Sequence, residues 1–288
     1  MIDHLLHLTD FHFWEIVFNP LRFMNKRFIG NVNVVLRRRH EFFMDRAEAY
    51  ADYAASLKAV DALLTGDFTS TSTAREFELA RLFVLHLEQN GIAPVAIPGN
   101  HDVYTFESVR KKRFQKFLGQ WLPDEDLPCI ITLRGGTPIL LVPTVRPNFM
   151  SSQGFVNARV IEQVTALLES IDRPVIVAAH YPLLHQTGDY VAPVGRRLLN
   201  AHLLRDAVGK HPHPVLYMAG HNHRFHLERD PEFPRLTHLC TGAFLRQDER
   251  TGIKGEFSEL IIDESTVQVL RHVCRASWEL EDQGSLIF

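Results

Sequence analysis

The sequence predicts an α/β protein in which two β-sheets pack into a sandwich and helices cover the outside. Short apolar runs of strand length alternate with helical patterns through the first two thirds of the chain. The last third is rich in β-type residues, with glycines between the runs. Polar residues that can bind metal follow several of the apolar runs, so we expect loops at one sheet edge to carry a functional site.

Six short apolar runs are the predicted strands, and most of them end in Gly, Pro or a residue type that binds metal. They are Leu5–Leu8, Ala62–Thr65, Val95–Ile97, Ile139–Val142, Val175–Ala178 and Val215–Met218. The segment 134–137, with the sequence Arg-Gly-Gly-Thr, separates two β-rich runs and predicts a hairpin turn. Residues 237–272 are also β-rich.

Helical patterns lie between several of these strands. Ser72 and Thr73 predict an N-cap for one of them, and Asn90-Gly91 predicts its end. The four predicted helices are Ala47–Leu57, Ala74–Leu87, Val156–Ile171 and Arg197–Val208.

Bulk composition indicates one folded domain over residues 1–288, since 45% of the residues are hydrophobic and no tract has low complexity. The formal net charge of −3 argues against a stable nucleic-acid partner. Three widely spaced cysteines, Cys129, Cys240 and Cys274, indicate buried thiols of a reducing compartment.

We see no signal peptide and no apolar run of the roughly 18–20 residues that span a bilayer. We therefore expect a cytoplasmic protein, with peripheral contact at the inner face of the membrane as an option.

Five short polar segments each follow a predicted strand and together form a candidate metal site. They are Asp10-Phe11-His12, Gly66-Asp67, Gly99-Asn100-His101-Asp102, His180 and Gly220-His221-Asn222-His223. The two i, i+2 pairs should each converge on one ion if they continue a strand, because alternate residues of a strand project to the same side. Asp67 has two carboxylate oxygens and can bridge two cations. Oxygen and nitrogen ligands without thiolate suit Mn²⁺, with Fe or Zn²⁺ as alternatives.

Taken singly, these segments carry little weight. Asp-x-His pairs are common, Gly-Asp is usually a turn, and a lone histidine such as His180 is more often a core residue than a ligand. All five segments in this order, each at the end of an apolar run, are hard to explain without a metal site.

The order of these segments resembles that of the calcineurin-like metallophosphoesterases, over residues 10–223. The resemblance implies a four-layer αββα sandwich of two mixed β-sheets around a dinuclear metal centre. It implies that the first metal is bound by Asp10, His12, Asp67 and His223, and the second by Asp67, Asn100, His180 and His221. It also implies that His101 protonates the leaving group or stabilises phosphoryl charge, and that Asp102 orients His101.

Residues 13–46 are an apolar and basic insertion directly after Asp10 and His12, so they must lie beside the metals. Two interpretations stay open. The insertion is an amphipathic cap that holds an acyl chain or rests on an anionic membrane, or it is ordinary packing with solvated arginines. A second basic cluster, residues 110–116, is either a solvated helix face or an aid to attracting an anionic substrate.

Parts of this insertion, among them residues 18–21 and 37–39, resemble bacterial enzymes that hydrolyse the pyrophosphate bond of UDP-2,3-diacylglucosamine in lipid A synthesis. Within those enzymes, this stretch resembles the chlamydial-type branch. Candidate substrate contacts are Arg37, Arg38, His185 and Arg197, with Arg196 beside the last of these.

We therefore expect a metal-dependent phosphoric ester or anhydride hydrolase, in which a metal-activated hydroxide attacks phosphorus. A phosphodiester or pyrophosphate is favoured because the insertion suggests a large substrate, and lipid-linked substrates are included in this class. A cyclic-nucleotide phosphodiesterase is the alternative enzyme. A nuclease is disfavoured, because the sequence has only two local basic clusters in place of the extended basic groove that a nuclease needs. A catalytically silent scaffold would have lost a ligand or His101, and none is lost.

Overall fold

Two six-stranded mixed β-sheets form the centre of the protein in the computed structural model, which describes residues 2–16, 27–148 and 151–288. In spatial order, the first sheet contains Trp278–Ile287 (β16), Thr266–Cys274 (β15), Gly255–Ile262 (β14), Asp3–Leu8 (β1), Asp61–Leu64 (β2) and Ala93–Ala96 (β3). The second contains His226–Arg229 (β12), Leu236–Cys240 (β13), Val215–Ala219 (β11), Val175–Ala178 (β7), Pro138–Leu141 (β5) and Cys129–Thr132 (β4).

The central strands of each sheet run parallel, which gathers the loops that follow them. β1, β2 and β3 are parallel neighbours, and so are β5, β7, β11 and β13. Outside the two large sheets, Gly154–Phe155 (β6) pairs with Leu198–Leu199 (β10), and Gln186–Thr187 (β8) pairs with Tyr190–Val191 (β9). Because parallel strands end at the same sheet edge, the loops after β1, β2, β3, β7 and β11 become neighbours.

The described helices are Arg27–Asn33 (α1), Arg39–Glu41 (α2), Ala47–Ala55 (α3), Ala74–Gln89 (α4), Phe106–Arg110 (α5), Arg113–Leu118 (α6), Ala158–Glu169 (α7) and Ala201–Gly209 (α8). A π-helical turn, Val34–Arg38, connects α1 to α2. Helix α4 begins with a reciprocal cap, in which the Thr73 hydroxyl accepts from the Glu76 backbone and the Glu76 carboxylate accepts from the Thr73 backbone.

Side chains of β1 show how the layers are built. Leu5 lies in the core between the two sheets, whereas Leu6 and Leu8 lie in the core beneath the helices, with Phe77 and Ala80 of α4. On the other side, Val164 of α7 and Leu204 of α8 pack on the outer face of the second sheet. The predicted four-layer αββα sandwich is confirmed.

The predicted strands and helices occur in the structure, but some of their boundaries differ, and short strands such as β6 and β10 were not predicted. The turn at 134–137 closes the hairpin of β4 and β5, with the Leu133 backbone donating to the Thr137 carbonyl at 3.0 Å. The helix predicted from Arg197 begins only at Ala201, because residues 198–199 pair with β6. Strand β16 lies beyond the predicted β-rich segment.

Several other expectations can be compared with the described residues. Cys129, Cys240 and Cys274 are all free and buried, as predicted. Residues 17–26 of the insertion, which include most of the stretch that resembles the lipid A enzymes, lie outside the described residues. Among the helices described, none has the length and apolarity that a membrane crossing requires.

An ion pair between the buried Asp230 and the half-buried Arg205 joins the second sheet to α8. Asp230, which is 4% exposed, accepts from Arg205 at 2.6 and 2.7 Å and contacts His238 Nε2 at 2.7 Å. Burial alone would raise the pKa of the Asp230 carboxyl, but Arg205 and His238 lower it below its ordinary value. A carboxyl with a lowered pKa stabilises the fold above its ordinary pKa, and this stabilisation is lost as the pH falls.

We predict that Asp230→Asn lowers the free energy of unfolding by about 2 kcal/mol at pH 7, because it removes the buried carboxylate that accepts from Arg205 and contacts His238. The difference from wild type should shrink as the pH falls below about 4. Urea unfolding at several pH values measures it. Asp206→Asn is the control, since Asp206 is half exposed and lies 4.0 Å from Lys210. Equal stability of the two variants at pH 7 would contradict the prediction.

Candidate metal centre

The residues predicted to bind metal lie together where the loops of the two sheets meet. Loops after β1, β2 and β3 of the first sheet and after β7 and β11 of the second contribute to the cluster. The side chains brought together are Asp10, His12, Asp67, Asn100, His180, His221 and His223.

One half of the cluster consists of Asp10, His12, Asp67 and His223, whose candidate ligand atoms lie within 4.8 Å of one another. His12 Nε2 lies 3.0 Å from His223 Nε2 and 3.6 Å from Asp67 Oδ2. Asp10 Oδ1 lies 3.2 Å from His223 Nε2, is buried, and has no hydrogen-bond partner among the residues that the structure describes. A buried carboxylate oxygen without a partner is costly unless a cation satisfies it, so this half fits a divalent ion.

The second half consists of Asp67, Asn100, His180 and His221. Asp67 Oδ1 lies 3.5 Å from His180 Nε2. Asn100 Oδ1 lies 3.1 Å from His180 Nε2 and 3.0 Å from His221 Nδ1. The two oxygens of Asp67 therefore face different halves, as a ligand shared by two divalent ions requires.

Backbone carbonyls fix the orientation of two of the imidazoles. His180 Nδ1 lies 2.8 Å from the Thr65 carbonyl, and His221 Nε2 lies 2.8 Å from the Arg196 carbonyl. A carbonyl only accepts, so these nitrogens donate, and the opposite nitrogens present lone pairs to the cluster. This is how histidine ligands are commonly held for a metal.

Five of the seven ligands have left-handed backbone conformations, with φ between +51° and +67°: Asp10, His12, Asp67, His221 and His223. Such conformations cost roughly 1–2 kcal/mol for each non-glycine residue and are concentrated at functional sites. Strand β1 ends at Leu8 and β11 at Ala219, so neither histidine pair lies in a strand. The prediction that strand alternation makes each pair converge is wrong, because left-handed turns bring the side chains together.

Two glycines allow the loops after β2 and β3 to touch. A Cβ atom on Gly99 would lie 2.1 Å from the Asp67 backbone nitrogen, and one on Gly66 would lie 2.2 Å from the Gly99 nitrogen. Gly66 also has a φ of +96°. The backbone of Asp67 can reach its position only because both side chains are absent.

Burial and neighbouring charges shift the pKa values of the ligands. Burial lowers the pKa of His12 and of His221 well below the ordinary value, which favours the neutral imidazole that binds metal. Burial would raise the pKa of Asp10, but His223 and other nearby imidazoles lower it. Burial would lower the pKa of His180, whereas Asp67 raises it to about 9.

His101 and Asp102 have separate contacts. His101 Nδ1 lies 2.8 Å from the Ser70 carbonyl, and its Nε2 lies 2.7 Å from Arg38 Nη2. Asp102 accepts from the backbone nitrogens of Gly99 at 2.8 Å and Thr69 at 2.9 Å. The prediction that Asp102 orients His101 does not match these contacts. The two side chains leave a tight loop in different directions, and Asp102 holds that loop in place.

A cavity of about 490 Å³ opens over the cluster. Of the predicted substrate contacts, Arg37 and Arg38 line it, and so does Arg196, whereas His185 and Arg197 do not. The Arg197 side chain instead donates to the Ala192 carbonyl at 2.7 Å. Residues that the sequence did not single out also line the cavity: Val32, Asn33, Leu36, Glu41, Phe42, Tyr104 and Ser152. No motif marks these residues, because the loops and helices that bring them here are distant in sequence.

Comparison with known proteins agrees with this geometry. The family model described as calcineurin-like phosphoesterase matches residues 4–225, which is most of the chain. No curated protein matches it.

Solved structures with a similar fold include a dimetal phosphatase from Danio rerio and the purple acid phosphatase PPD1 from yellow lupin (Lupinus luteus) seeds. The first has a TM-score of 0.67 at 13% identity, with 98% of this chain and 99% of that chain covered. The second has a TM-score of 0.60 at 14% identity, with 100% of this chain and 53% of that chain covered. At such low identity these similarities concern the fold alone.

We predict that Gly99→Ala impairs metal binding, because its Cβ atom would collide with the Asp67 backbone. Titration calorimetry with Mn²⁺ should show a loss of at least about tenfold in affinity for one or both ions. Gly119→Ala is the matched control, since a Cβ atom there would meet nothing within 4 Å. If the two variants bind Mn²⁺ equally well, the Gly99–Asp67 contact does not support the centre.

Proposed function

The chain belongs to the calcineurin-like phosphoesterase family, and from that premise we propose that it hydrolyses a phosphodiester or pyrophosphate bond of a large substrate. The observation that carries the proposal is the position of the insertion. Seven residues between positions 32 and 42 line the cavity over the metal centre, beside Asp67 and Asn100. A substrate that reaches the centre must therefore contact a surface that is partly basic and partly apolar.

The two halves of the cluster would hold one divalent ion each, with Asp67 shared. We propose Mn²⁺ as the metal, with Fe or Zn²⁺ as alternatives, because the ligands are oxygens and imidazole nitrogens without thiolate. When bound, the ions supply Lewis acidity and an activated water. The protein's own contribution is to fix the ligands and to bind and orient the phosphate group.

Arginines supply positive charge on two sides of the cavity. Arg37 and Arg38 lie on the insertion, and Arg196 ends the short 3-10 helix Val194–Arg196 in the other half of the protein. Guanidinium groups donate to phosphate oxygens in pairs, so these side chains can bind an anionic substrate beside the metals. His185 and Arg197, which lie outside the cavity lining, have no part in this proposal.

The apolar part of the lining supports a lipid-linked substrate. Val32 and Leu36 are one helical turn apart, line the cavity, and are 38% and 74% exposed. Exposed apolar side chains beside a charged centre suit a substrate with both an acyl chain and a phosphate. UDP-2,3-diacylglucosamine has this character, and we propose it as the substrate, bound by a cytoplasmic protein in peripheral contact with the inner face of the membrane.

A cyclic-nucleotide phosphodiesterase remains the alternative, because the same ligands serve that reaction. A small nucleotide needs an open, polar site with the insertion folded away, and the lining by Val32 and Leu36 favours the larger substrate. A silent scaffold is disfavoured because every ligand is present and the ligands converge.

We predict that the protein with Mn²⁺ hydrolyses UDP-2,3-diacylglucosamine faster than cyclic AMP, with bis(p-nitrophenyl) phosphate as a general phosphodiester substrate. Asp67→Ala should reduce every such activity by at least about 10³-fold, since it removes the ligand shared by both halves. Product release measured by phosphorus NMR separates the three reactions. Cleavage of cyclic AMP alone would favour the alternative, and no activity with two metals bound would exclude both.

We also predict that Leu36→Ser raises KM for the diacylated sugar nucleotide by about tenfold. Burying a leucine side chain against an acyl chain contributes on the order of 1–2 kcal/mol to binding. The KM for bis(p-nitrophenyl) phosphate should stay unchanged. Leu82→Ser is the control, since Leu82 is 48% exposed on α4 and does not line the cavity. Equal KM values in all three proteins would show that the Leu36 side chain does not contact the acyl chain.

A further inference from the structure

A second cavity, of about 180 Å³, lies beside the metal centre. His223 lines this cavity and also the larger one over the metals, so the two cavities meet at that residue. The loop after β11, the segment between β13 and β14, and strands β14 and β15 form the walls of the second cavity. Among the residues that the structure describes, no other member of its lining belongs to the larger cavity, so the second cavity is a separate candidate site.

The lining of the second cavity has more basic than acidic side chains. Its charged members are the arginines Arg224, Arg246, Arg250 and Arg271 and the acids Asp248 and Glu256. Arg271 Nε donates to Glu256 at 2.8 Å, and the exposed Arg250 lies 3.7 Å from Asp248. The half-buried Arg224 and Arg246 are therefore the two charges that neither acid of the lining pairs with.

Glu256 is held in its pairing with Arg271. The carboxylate packs against Gly242, because a Cβ atom on that glycine would lie 1.8 Å from Glu256 Oε1. The residue is 6% exposed, and its Oε2 accepts from two nitrogens of Arg271. Glu256 forms no ion pair with Arg246, so the lining itself does not supply a partner for that guanidinium.

Arg246 has donors that no hydrogen bond within the described chain uses. Its side chain is 17% exposed, and its Nε is buried without a hydrogen-bond partner there. Glu41 Oε2 lies 3.6 Å from this Nε, while the other oxygen of Glu41 accepts from Arg37 at 2.7 Å. One carboxylate thus lies between two guanidinium groups, and Arg246 keeps donors for a further acceptor.

Arg224 directly follows the metal-binding residue His223. Its guanidinium carbon lies 5.0 Å from the centroid of the Tyr190 ring, a distance at which cation–π attraction holds a guanidinium in place. In the described part of the chain its side chain has neither an ion pair nor a hydrogen bond. Stacking of this kind leaves the N–H groups at the edge of the guanidinium plane available to a ligand.

These contacts favour an anion as the ligand of the second cavity. Two half-buried guanidinium groups beside one cavity repel each other, and an anion bound to both removes that repulsion. Guanidinium groups donate paired hydrogen bonds to the oxygens of phosphate. The backbone of Arg246 is fixed by an antiparallel bridge to Phe42 of the insertion, so its side chain extends from a rigid position.

We propose that the second cavity is a phosphate-binding site, in which Arg224 and Arg246 bind a phosphate group that is not hydrolysed. The proposal goes beyond the proposed function, because this cavity is separate from the one over the metals. The phosphate group has two possible sources with the same chemistry. One is a second phosphate of the substrate whose first phosphate lies at the metals, and the other is free inorganic phosphate.

The first test counts the phosphate ions bound to the Mn²⁺-loaded protein, by equilibrium dialysis with radiolabelled inorganic phosphate. We expect wild type to bind two phosphates per chain, one at the metals and one in the second cavity. Arg224→Ala and Arg246→Ala should each weaken the second of these by about tenfold or more. Asp67→Ala, which removes the ligand shared by both metals, should lose the phosphate at the metals and keep the other.

Arg229→Ala is the matched control, because Arg229 is exposed on β12 and lines neither cavity. Manganese content distinguishes a lost phosphate from a lost metal. If Arg246→Ala also loses metal or stability, Arg224→Ala decides the test, since the Arg224 side chain forms no hydrogen bond within the described residues. The proposal is overturned if wild type binds a single phosphate, or if Arg224→Ala binds both phosphates as tightly as Arg229→Ala does.

Steady-state kinetics distinguish the two sources of the phosphate group. If a second phosphate of the substrate occupies the cavity, Arg224→Ala should raise KM about tenfold for UDP-2,3-diacylglucosamine, which has two phosphates. The KM for bis(p-nitrophenyl) phosphate, which has one, should then stay unchanged. Unchanged KM values for both substrates, with the second phosphate lost in dialysis, would assign the site to free phosphate. A wild type that binds two phosphates but cleaves neither substrate would support the second site and count against the proposed function.

Discussion

The carboxylate of Asp67 is the constraint on which the arrangement of the site depends. Its Oδ2 faces His12, from the first sheet, at 3.6 Å, and its Oδ1 faces His180, from the second sheet, at 3.5 Å. Both sheets must therefore be packed at a defined separation before one carboxylate can face both halves. The apolar core between the sheets, which includes Leu5 and Ile176, sets that separation.

The left-handed ligands and the close loop contacts require support from buried carboxyl groups. Asp102 accepts from Gly99 and Thr69 of neighbouring loops. Glu76 accepts from the backbone nitrogens of Thr71 at 2.8 Å and Thr73 at 3.1 Å. Burial raises the pKa of Asp102 and of Glu76 to about 7 in each case, and the backbone donors oppose that shift. Burial of these two carboxyl groups is therefore electrostatically unfavourable, but their hydrogen bonds to the backbone hold the loop that carries Asp67.

The insertion lines the cavity over the metal centre and is held rigidly against the rest of the fold. Its far end is tied to the fold by main-chain hydrogen bonds, from Phe43 to the Leu245 carbonyl at 3.2 Å and from Gln247 to the Glu41 carbonyl at 2.6 Å. With the segment held in this way, the buried Arg38 lies 3.1 Å from His12 Nδ1, while Val32 and Leu36 line the same cavity and stay exposed. Under the proposed function, binding of the phosphate and of the apolar part of one substrate would both depend on the packing of this segment.

The sequence by itself determined the fold class, the six predicted strands and the set of metal-binding side chains. It could do so because strand-length apolar runs and polar residues after them are local signals. Tertiary structure alone decided how those side chains converge, through left-handed turns at Asp10 and His12 rather than through strand alternation. It also decided that Asp102 holds a loop, that Arg38 and not His185 reaches the cavity, and that the His101 imidazole lies against Arg38. Such contacts depend on distances between segments far apart in the chain, and no local pattern of residues encodes them.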